Sequence, residues 1–374
     1  MKIGILTHPL RFNYGGILQN YALQRVLLSY GHEVYTIDWN DDKSFVYKLL
    51  SYVKRIFMHY VMRKTHISTK FHLNLSRKQF LYLNEKNLVF IDRNINKTEY
   101  ISSISQLYKV NEMGFDAIVV GSDQVWLEQF VPMMYLDFLK PNILRIAYAA
   151  SFGKDEWTYN KRNTELASLY AKKFHAISVR EESAVFLCSE YLGVSATWVL
   201  DPTLLLTSNQ YDDVIDLSED KSPSSPHIMT YILDNTSKKE KIVDCISSRY
   251  NLGVFKVEAH NTINGIQEKA DSISTWLAGF KNADFVITDS FHGTVFSILY
   301  NKPFLVIGNR TRGMARFISL LKLLGLENRL IFETDDHSDI LKKSTEVIDY
   351  AKVNELLDKI RMSSRKFLTN SLDI

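Results

Sequence analysis

The chain has little of what several functional classes require. Two cysteines, Cys188 and Cys245, in 374 residues follow no metal-ligand spacing and cannot build a disulfide framework, so a reducing cytoplasmic setting is expected. The ten histidines include no H-E-x-x-H pair and no carboxylate-rich neighbourhood, which leaves no expected metal site. Charge of either sign is not in excess: 45 basic against 42 acidic residues give a formal net charge of +3. That balance speaks against coating a nucleic acid, and any anion site has to come from local clustering. No uninterrupted apolar run reaches the roughly 18 residues that span a bilayer. Met1-Lys2-Ile3-Gly4-Ile5-Leu6 opens as a strand and not as a basic region followed by an apolar core, so neither secretion nor membrane insertion is expected. No repeat and no low-complexity segment stands out. Also missing are the G-x-G-x-x-G dinucleotide fingerprint and the G-x-S-x-G elbow of serine hydrolases.

What is present is ample apolar material, 46% of the residues, enough for two α/β domains with separate cores. A strand over residues 2–7 runs through the turn Asn13-Tyr14-Gly15-Gly16 into a helix with Leu18, Ala22, Leu23, Val26, Leu27 and Tyr30 at helical spacing. Gly31 stops that helix, and a strand over 34–37 completes a right-handed β-α-β unit. Residues 69–110 show weak periodicity and read as loops and short elements. Strands are expected over 115–120, 145–148, 176–179 and 197–200, with a helix over 160–174. Asp201-Pro202-Thr203 breaks this run, and the Pro- and Ser-rich stretch 218–226 marks an exposed connection. A second series follows: strands over 227–233, 253–257, 285–287 and 304–307, with helices over 238–250, 275–281 and after Gly293. The expected organisation is an N-terminal α/β domain over 1–200, a C-terminal α/β domain over 201–350, and a terminal helix within 351–374 crossing back to the first.

The second series centres on Phe285 to Leu299. A short buried strand, a polar break at Thr288-Asp289-Ser290 and a helix from Gly293 place His292 at a strand-to-helix turn. Such turns line the crevice beyond the carboxyl ends of parallel strands, where helix-start N–H groups attract anions. Ser290 as a plain N-cap and His292 as a hydrogen-bonded loop residue explain the same pattern. The glycine turn at residues 13–16 suits close approach of an anion or a sugar, or is simply a tight turn. Gly121-Ser122-Asp123-Gln124 closes another buried strand with small and acidic residues. Arg180 follows a strand directly, and Arg310, Arg312 and Arg316 cluster after residue 307. Guanidinium groups at strand ends fit carboxylate or phosphate through paired hydrogen bonds. The candidates are therefore His292 and Arg180 as catalytic residues. Asn13, Tyr14, Gly15, Gly16, Ser122, Asp123, Gln124, Ser290, Phe291, Gly293, Arg312 and Arg316 are the substrate-binding candidates.

Taken in order, Asn13-Tyr14-Gly15-Gly16 with Leu18-Gln19 and Ala22-Leu23-Gln24, Gly121-Ser122-Asp123-Gln124-Val125-Trp126, Tyr148-Ala149-Ala150-Ser151-Phe152-Gly153, Ser178-Val179-Arg180-Glu181, Asp201-Pro202-Thr203-Leu204-Leu205 and Ser290-Phe291-His292-Gly293 resemble the polysaccharide pyruvyl transferase family. Leu127 departs from it, because members often carry asparagine after the tryptophan. The resemblance implies two Rossmann-like, doubly wound domains facing a cleft in a glycosyltransferase-B-like arrangement. It implies phosphoenolpyruvate as donor, a lipid-linked oligosaccharide or polysaccharide precursor as acceptor, and no required metal or cofactor. In that chemistry a histidine titrating near neutrality serves as acid or base. The arginines frame the developing charge and the departing phosphate. A nucleotide-sugar glycosyltransferase of the same architecture and a non-catalytic scaffold are the alternatives. Residues 45–64 alternate aromatic and aliphatic with basic side chains. They form either a helix for peripheral contact with the inner membrane face or one packed on its own domain.

Overall fold

The computed structural model of the protein describes residues 1–11, 13–41, 77–218, 221–257, 261–263, 266–308 and 313–372. The basic stretch 45–64 and the arginines Arg310 and Arg312 lie outside the described residues.

The first five strands are β1 (Lys2–Leu6), β2 (Glu33–Thr36), β3 (Ala117–Val120), β4 (Leu144–Ala150) and β5 (Ala176–Val179). Four of them are short, mostly apolar runs of the kind that parallel sheets bury on both faces, and β2 is a half-exposed edge. With the two-residue β6 (Thr197–Trp198) they form one six-stranded sheet, all parallel, in the order β2-β1-β3-β4-β5-β6. The chain departs from β1 in both directions, so the order reverses between β1 and β3, and a crevice opens there beyond their carboxyl ends.

The second half repeats the device. Strands β7 (His227–Tyr231), β8 (Gly253–Lys256), β11 (Phe285–Thr288), β12 (Phe304–Ile307) and β13 (Leu330–Ile331) form a parallel sheet ordered β13-β12-β11-β7-β8. Its switch point lies between β7 and β11. An antiparallel hairpin of β9 (Asn261–Ile263) and β10 (Ile266–Glu268) stands apart from it. Two parallel-sheet α/β units thus make the molecule.

Alternation along the strands sends side chains to opposite faces. In β3, Val119 joins the central cluster while Ile118 and Val120 join the far face of the first sheet. In β11, Val286 points to that same central cluster and Phe285 and Ile287 to the outer face of the second sheet. The central cluster is thereby common to both sheets, and α1 (Tyr14–Ser29) runs through it. Gln19, Asn20 and Gln24 are buried in it as well as its apolar residues. Gln19 donates to Thr7 Oγ1 (2.9 Å), Thr36 Oγ1 donates to Asn20 Oδ1 (2.7 Å), and Gln24 donates to the carbonyl of Asn96 (3.0 Å). A helix wedged on all sides needs such pairing, since an unpaired buried amide is costly.

Within the stretch 69–110, read as loops and short elements, the short elements are helices Arg77–Leu83 and Glu85–Asn94 and a 3₁₀ segment Ile104–Glu112. Only Asn87, Phe90 and Ile91 of the second helix are buried. So narrow a stripe leaves almost no helical period in the sequence.

Candidate active site

Every element that carries a candidate ends at the same place. The β1 crevice supplies the start of α1 and the β3 crevice supplies Ser122 and Asp123. Arg180 leaves the end of β5, and α2 (Glu182–Leu187) begins two residues on. From the second sheet come α5 (Phe291–Leu299), which follows β11, and α6 (Ala315–Leu324), which follows β12; α3 (Ser237–Tyr250) and α4 (Ile273–Asn282) precede them.

The decisive contact is between the two motifs that stand furthest apart in sequence. A Cβ placed on Gly15 would lie 2.0 Å from Nδ1 of His292. Only glycine lets the first turn of α1 rest on that imidazole, and the N-terminal ends of two helices, α1 and α5, therefore meet over one buried histidine. A second glycine does the same beside it. Gly313, at φ +82, would put a Cβ 1.9 Å from the carbonyl oxygen of Gly153, so the loop before α6 closes directly on the loop after β4.

Asp201 ties the arrangement together. Its Oδ2 accepts from Arg180 Nη1 at 2.9 Å and from Ser122 Oγ at 3.0 Å, and it lies 3.7 Å from His292 Nε2. Its Oδ1 accepts from the backbone N–H and the hydroxyl of Thr203. Burial alone would push this carboxyl up, but His292, Arg180 and Thr203 outweigh it and hold Asp201 far below the usual carboxylate range. Asp123 behaves alike. Burial is opposed by His8, Arg180, His292 and Arg316, and its carboxyl is drawn down to about 2. It accepts from Asn13 Nδ2 at 3.3 Å.

Arg180 sits at the centre, 4% exposed. Desolvation disfavours its charge, but Asp201, Glu181 and Asp123 more than restore it. Besides the bond to Asp201, Nη2 lies 3.8 Å from Asp123 and Nε 3.7 Å from Glu181. Phe291 is a platform beneath two guanidinium groups, with Arg180 Cζ 4.8 Å and Arg316 Cζ 5.7 Å from its ring centroid. Burial and the neighbouring Arg180 lower Arg316 to about 10.

The polar atoms left over are as telling as the bonds. Arg180 Nε and Nη2, Arg316 Nε, His292 Nε2 and Glu181 Oε2 are buried without a hydrogen-bond partner among the described residues. Buried polar groups are otherwise nearly always paired, so the spare N–H donors of Arg180 and Arg316 between two helix N-termini describe a receptor for an anion.

Sequence reasoning placed other candidates differently. Tyr14 turns away from the crevice: its ring packs near Tyr231 and Trp276, and its hydroxyl donates to the carbonyl of Asp271 at 2.8 Å, fastening α1 to the second unit. Gly293 faces Thr288, whose Oγ1 a Cβ there would meet at 2.2 Å, so it serves packing of α5 on β11. Ser290 is the N-cap of α5, accepting from the N–H of Gly293. Ser122 spends its hydroxyl on Asp201. Gly16 lies against the side chain of Asn13, and Gln124 against Gly153. Asp201 and Glu181, absent from the candidates, are central. Asp201 reads as a break before proline because Ser122 and His292, which it meets in the fold, lie far along the chain. Glu181 hides behind Arg180, although an acid next to an arginine at the end of a buried strand is itself a signal. Among the described residues no group of three histidines, cysteines or acids is placed to hold a metal ion.

The sequence pattern of the polysaccharide pyruvyl transferase family matches residues 13–311, a span that contains Asp123, Arg180, Glu181, Asp201 and His292. The chain belongs to this family. It is accordingly a transferase of polysaccharide biosynthesis, acting on a sugar-bearing substrate. No match was found among curated proteins. Among solved structures the chain is similar to UDP-GlcNAc 2-epimerase from Neisseria meningitidis bound to UDP-GlcNAc. That likeness has a TM-score of 0.53 at 13% identity, covering 100% of this chain and 99% of that one. It is also similar to Arabidopsis thaliana UGT89C1 complexed with UDP-L-rhamnose, at TM-score 0.54 and 9% identity over 100% and 99% of the two chains. At such identities the likeness establishes the glycosyltransferase-B-like, two-lobed fold of this pyruvyl transferase family member and nothing more. Among its described residues no helix is long and apolar enough to cross a membrane.

Proposed function

We propose that the protein transfers pyruvate from phosphoenolpyruvate to two hydroxyls of one sugar in a polysaccharide precursor, forming a cyclic ketal and releasing phosphate. The observation that carries this reading is the set of buried donors on Arg180 and Arg316 beside His292 that have no partner among the described residues. A donor bearing both phosphate and carboxylate needs more than one guanidinium, and the reaction needs a titratable group at the same point. Family membership supports the pyruvyl half of the reading. The acceptor is a lipid-linked or polymeric saccharide, and neither a metal nor a cofactor takes part.

A feature of the second unit favours this donor over a nucleotide sugar. At its switch point the backbone N–H groups of Leu233 and Asp234 are taken by the carboxylate of Asp289, at 2.6 and 3.1 Å, and Lys239 Nζ is bound to it at 2.7 Å. Donors that a diphosphate could use there are already committed to the protein's own anion. The test is incubation with phosphoenolpyruvate and lipid-linked oligosaccharide, with phosphate release and the added pyruvate mass as readouts. Arg180→Ala and His292→Ala are expected to lose about 10²–10³ in rate while remaining folded. Stabilisation by phosphoenolpyruvate and not by a nucleotide sugar is expected in thermal unfolding. The opposite pattern, with no phosphate released, hands the site to the glycosyltransferase reading.

A further inference from the structure

Pyruvyl transfer demands a proton at carbon, and the site holds one group suited to supply it. The inference rests on the phosphoenolpyruvate reading. The methylene carbon must be protonated before or as an acceptor hydroxyl attacks its neighbour. Asp123 and Asp201 are held as anions by the arginines and His292. Neither has a proton to give. The arginines are committed cations, and His292 has its Nε2 turned toward ionised Asp201.

Glu181 differs from all of these. It is wholly buried, Ser151 Oγ donates to its Oε1, and its Oε2 has no partner among the described residues. Burial raises its carboxyl above the ordinary glutamate range against the pull of Arg180, Ser151 and Arg316. It lies on the Nε edge of Arg180, whereas Asp201 lies at Nη1. Glu181, through Oε1, and Asp201, which His292 Nε2 faces at 3.7 Å, thus flank the same guanidinium from different sides. The charged and titratable groups around Glu181 are Arg180 at the end of β5, Arg316 on α6, Asp123 after β3, Asp201 after β6 and Cys188 after α2.

We propose that Glu181 is the acid that protonates the methylene carbon of phosphoenolpyruvate, while His292 receives the proton of the attacking hydroxyl. The π electrons of the enol take the proton from Oε2 and form the methyl C–H bond, which leaves the central carbon electron-deficient. The first sugar hydroxyl adds to that carbon and gives its proton to His292. The C–O bond to phosphate then breaks with its electron pair on the phosphate. The second hydroxyl closes the ketal as its proton is lost. Two hydroxyl protons are released in all; one restores Glu181 and the other leaves with phosphate, so the site returns to its starting state.

The test compares wild type with Glu181→Gln and Glu181→Asp, using phosphoenolpyruvate and a lipid-linked oligosaccharide. Glu181→Gln should lower kcat by about 10²–10⁴ while phosphoenolpyruvate still raises the unfolding temperature. Its residual rate should lose the alkaline limb on which wild type falls as the acid deprotonates. Glu181→Asp, a carboxyl drawn back by one methylene, should lower kcat but keep that limb. A Glu181→Gln enzyme with near wild-type kcat, or with a lowered kcat and an intact alkaline limb, overturns the assignment while sparing the donor reading. Wild type that releases no phosphate overturns both. If the glutamine variant does not fold, Glu181→Asp decides, and an unchanged kcat in it overturns the assignment.

Discussion

Asp123 shows how much a single side chain carries here. It adopts φ 81, in the left-handed region that costs most residues energy and that aspartate and asparagine tolerate best. That backbone turns its carboxylate back toward Arg180 and lets its N-terminal neighbour Ser122 reach Asp201. The carboxyl is near 2 in the folded protein and about 3.9 when unfolded. A depressed folded value means that the stability it contributes is present above pH ~4 and is lost as pH falls toward 2. Asp123→Asn keeps the shape and the backbone preference. The stability gap between wild type and this variant, measured by urea unfolding, should therefore shrink by about 2 kcal/mol between pH 7 and pH 2.5. A gap independent of pH would mean that the charge contributes nothing. Glu181 titrates in the opposite sense, because its raised carboxyl favours the folded state at low pH, and it is present in both proteins.

At the scale of elements, the strands were readable and the crevices they form were readable from them. Buried apolar runs ending in small, acidic or basic residues at 120–123, 179–181 and 287–290 are what a parallel sheet requires of its interior and its carboxyl edge. The short edge strands β6 and β13 were harder, since two residues hold no period. Nor did the sequence disclose the ion pair that joins α3 to the β11–α5 turn. Lys239 is 0% exposed, with Nζ 2.7 Å from Asp289 and 2.7 Å from the carbonyl of Asp234. Removing one member of a buried pair leaves the other charge uncompensated. Lys239→Met should cost about 3–5 kcal/mol in chemical denaturation, and adding Asp289→Asn should recover part of that. A loss below about 1 kcal/mol for the single variant would show that the pair is solvated in solution.

At the scale of the whole molecule, α7 (Tyr350–Ser371) binds the end of the chain to the first sheet and to the connection after it. Arg361 Nε and Arg365 Nη2 donate to the carbonyls of Leu204 and Leu205 at 2.7 and 2.8 Å, and the hydroxyl of Ser364 accepts from the N–H of Leu200 at 3.0 Å. Phe367 packs 6.2 Å from the ring of Tyr148 in β4. Because Leu200 to Leu205 flank Asp201, this helix clamps the segment that orients Arg180 and His292. Burying Val353, Leu357 and Leu368 is worth about 1.5–3 kcal/mol each. A chain ending at residue 349 should therefore unfold on the order of 10–20 °C lower by calorimetry. An unchanged midpoint would show that the clamp is dispensable.

By itself the sequence determined the two α/β series and the strand-end motifs, and it singled out His292 and Arg180 as candidates. All of these rest on local order: hydrophobic period, turn chemistry and motifs contiguous in the chain. Only the tertiary structure decided that Gly15 rests on His292, that Asp201 joins Ser122, Arg180 and Thr203, that Tyr14 belongs to the core, and that Glu181 is buried with a spare oxygen. Those facts depend on which strand ends face each other across two sheets. A charge or a glycine acquires its role from neighbours on other strand ends, whose identity no local pattern encodes.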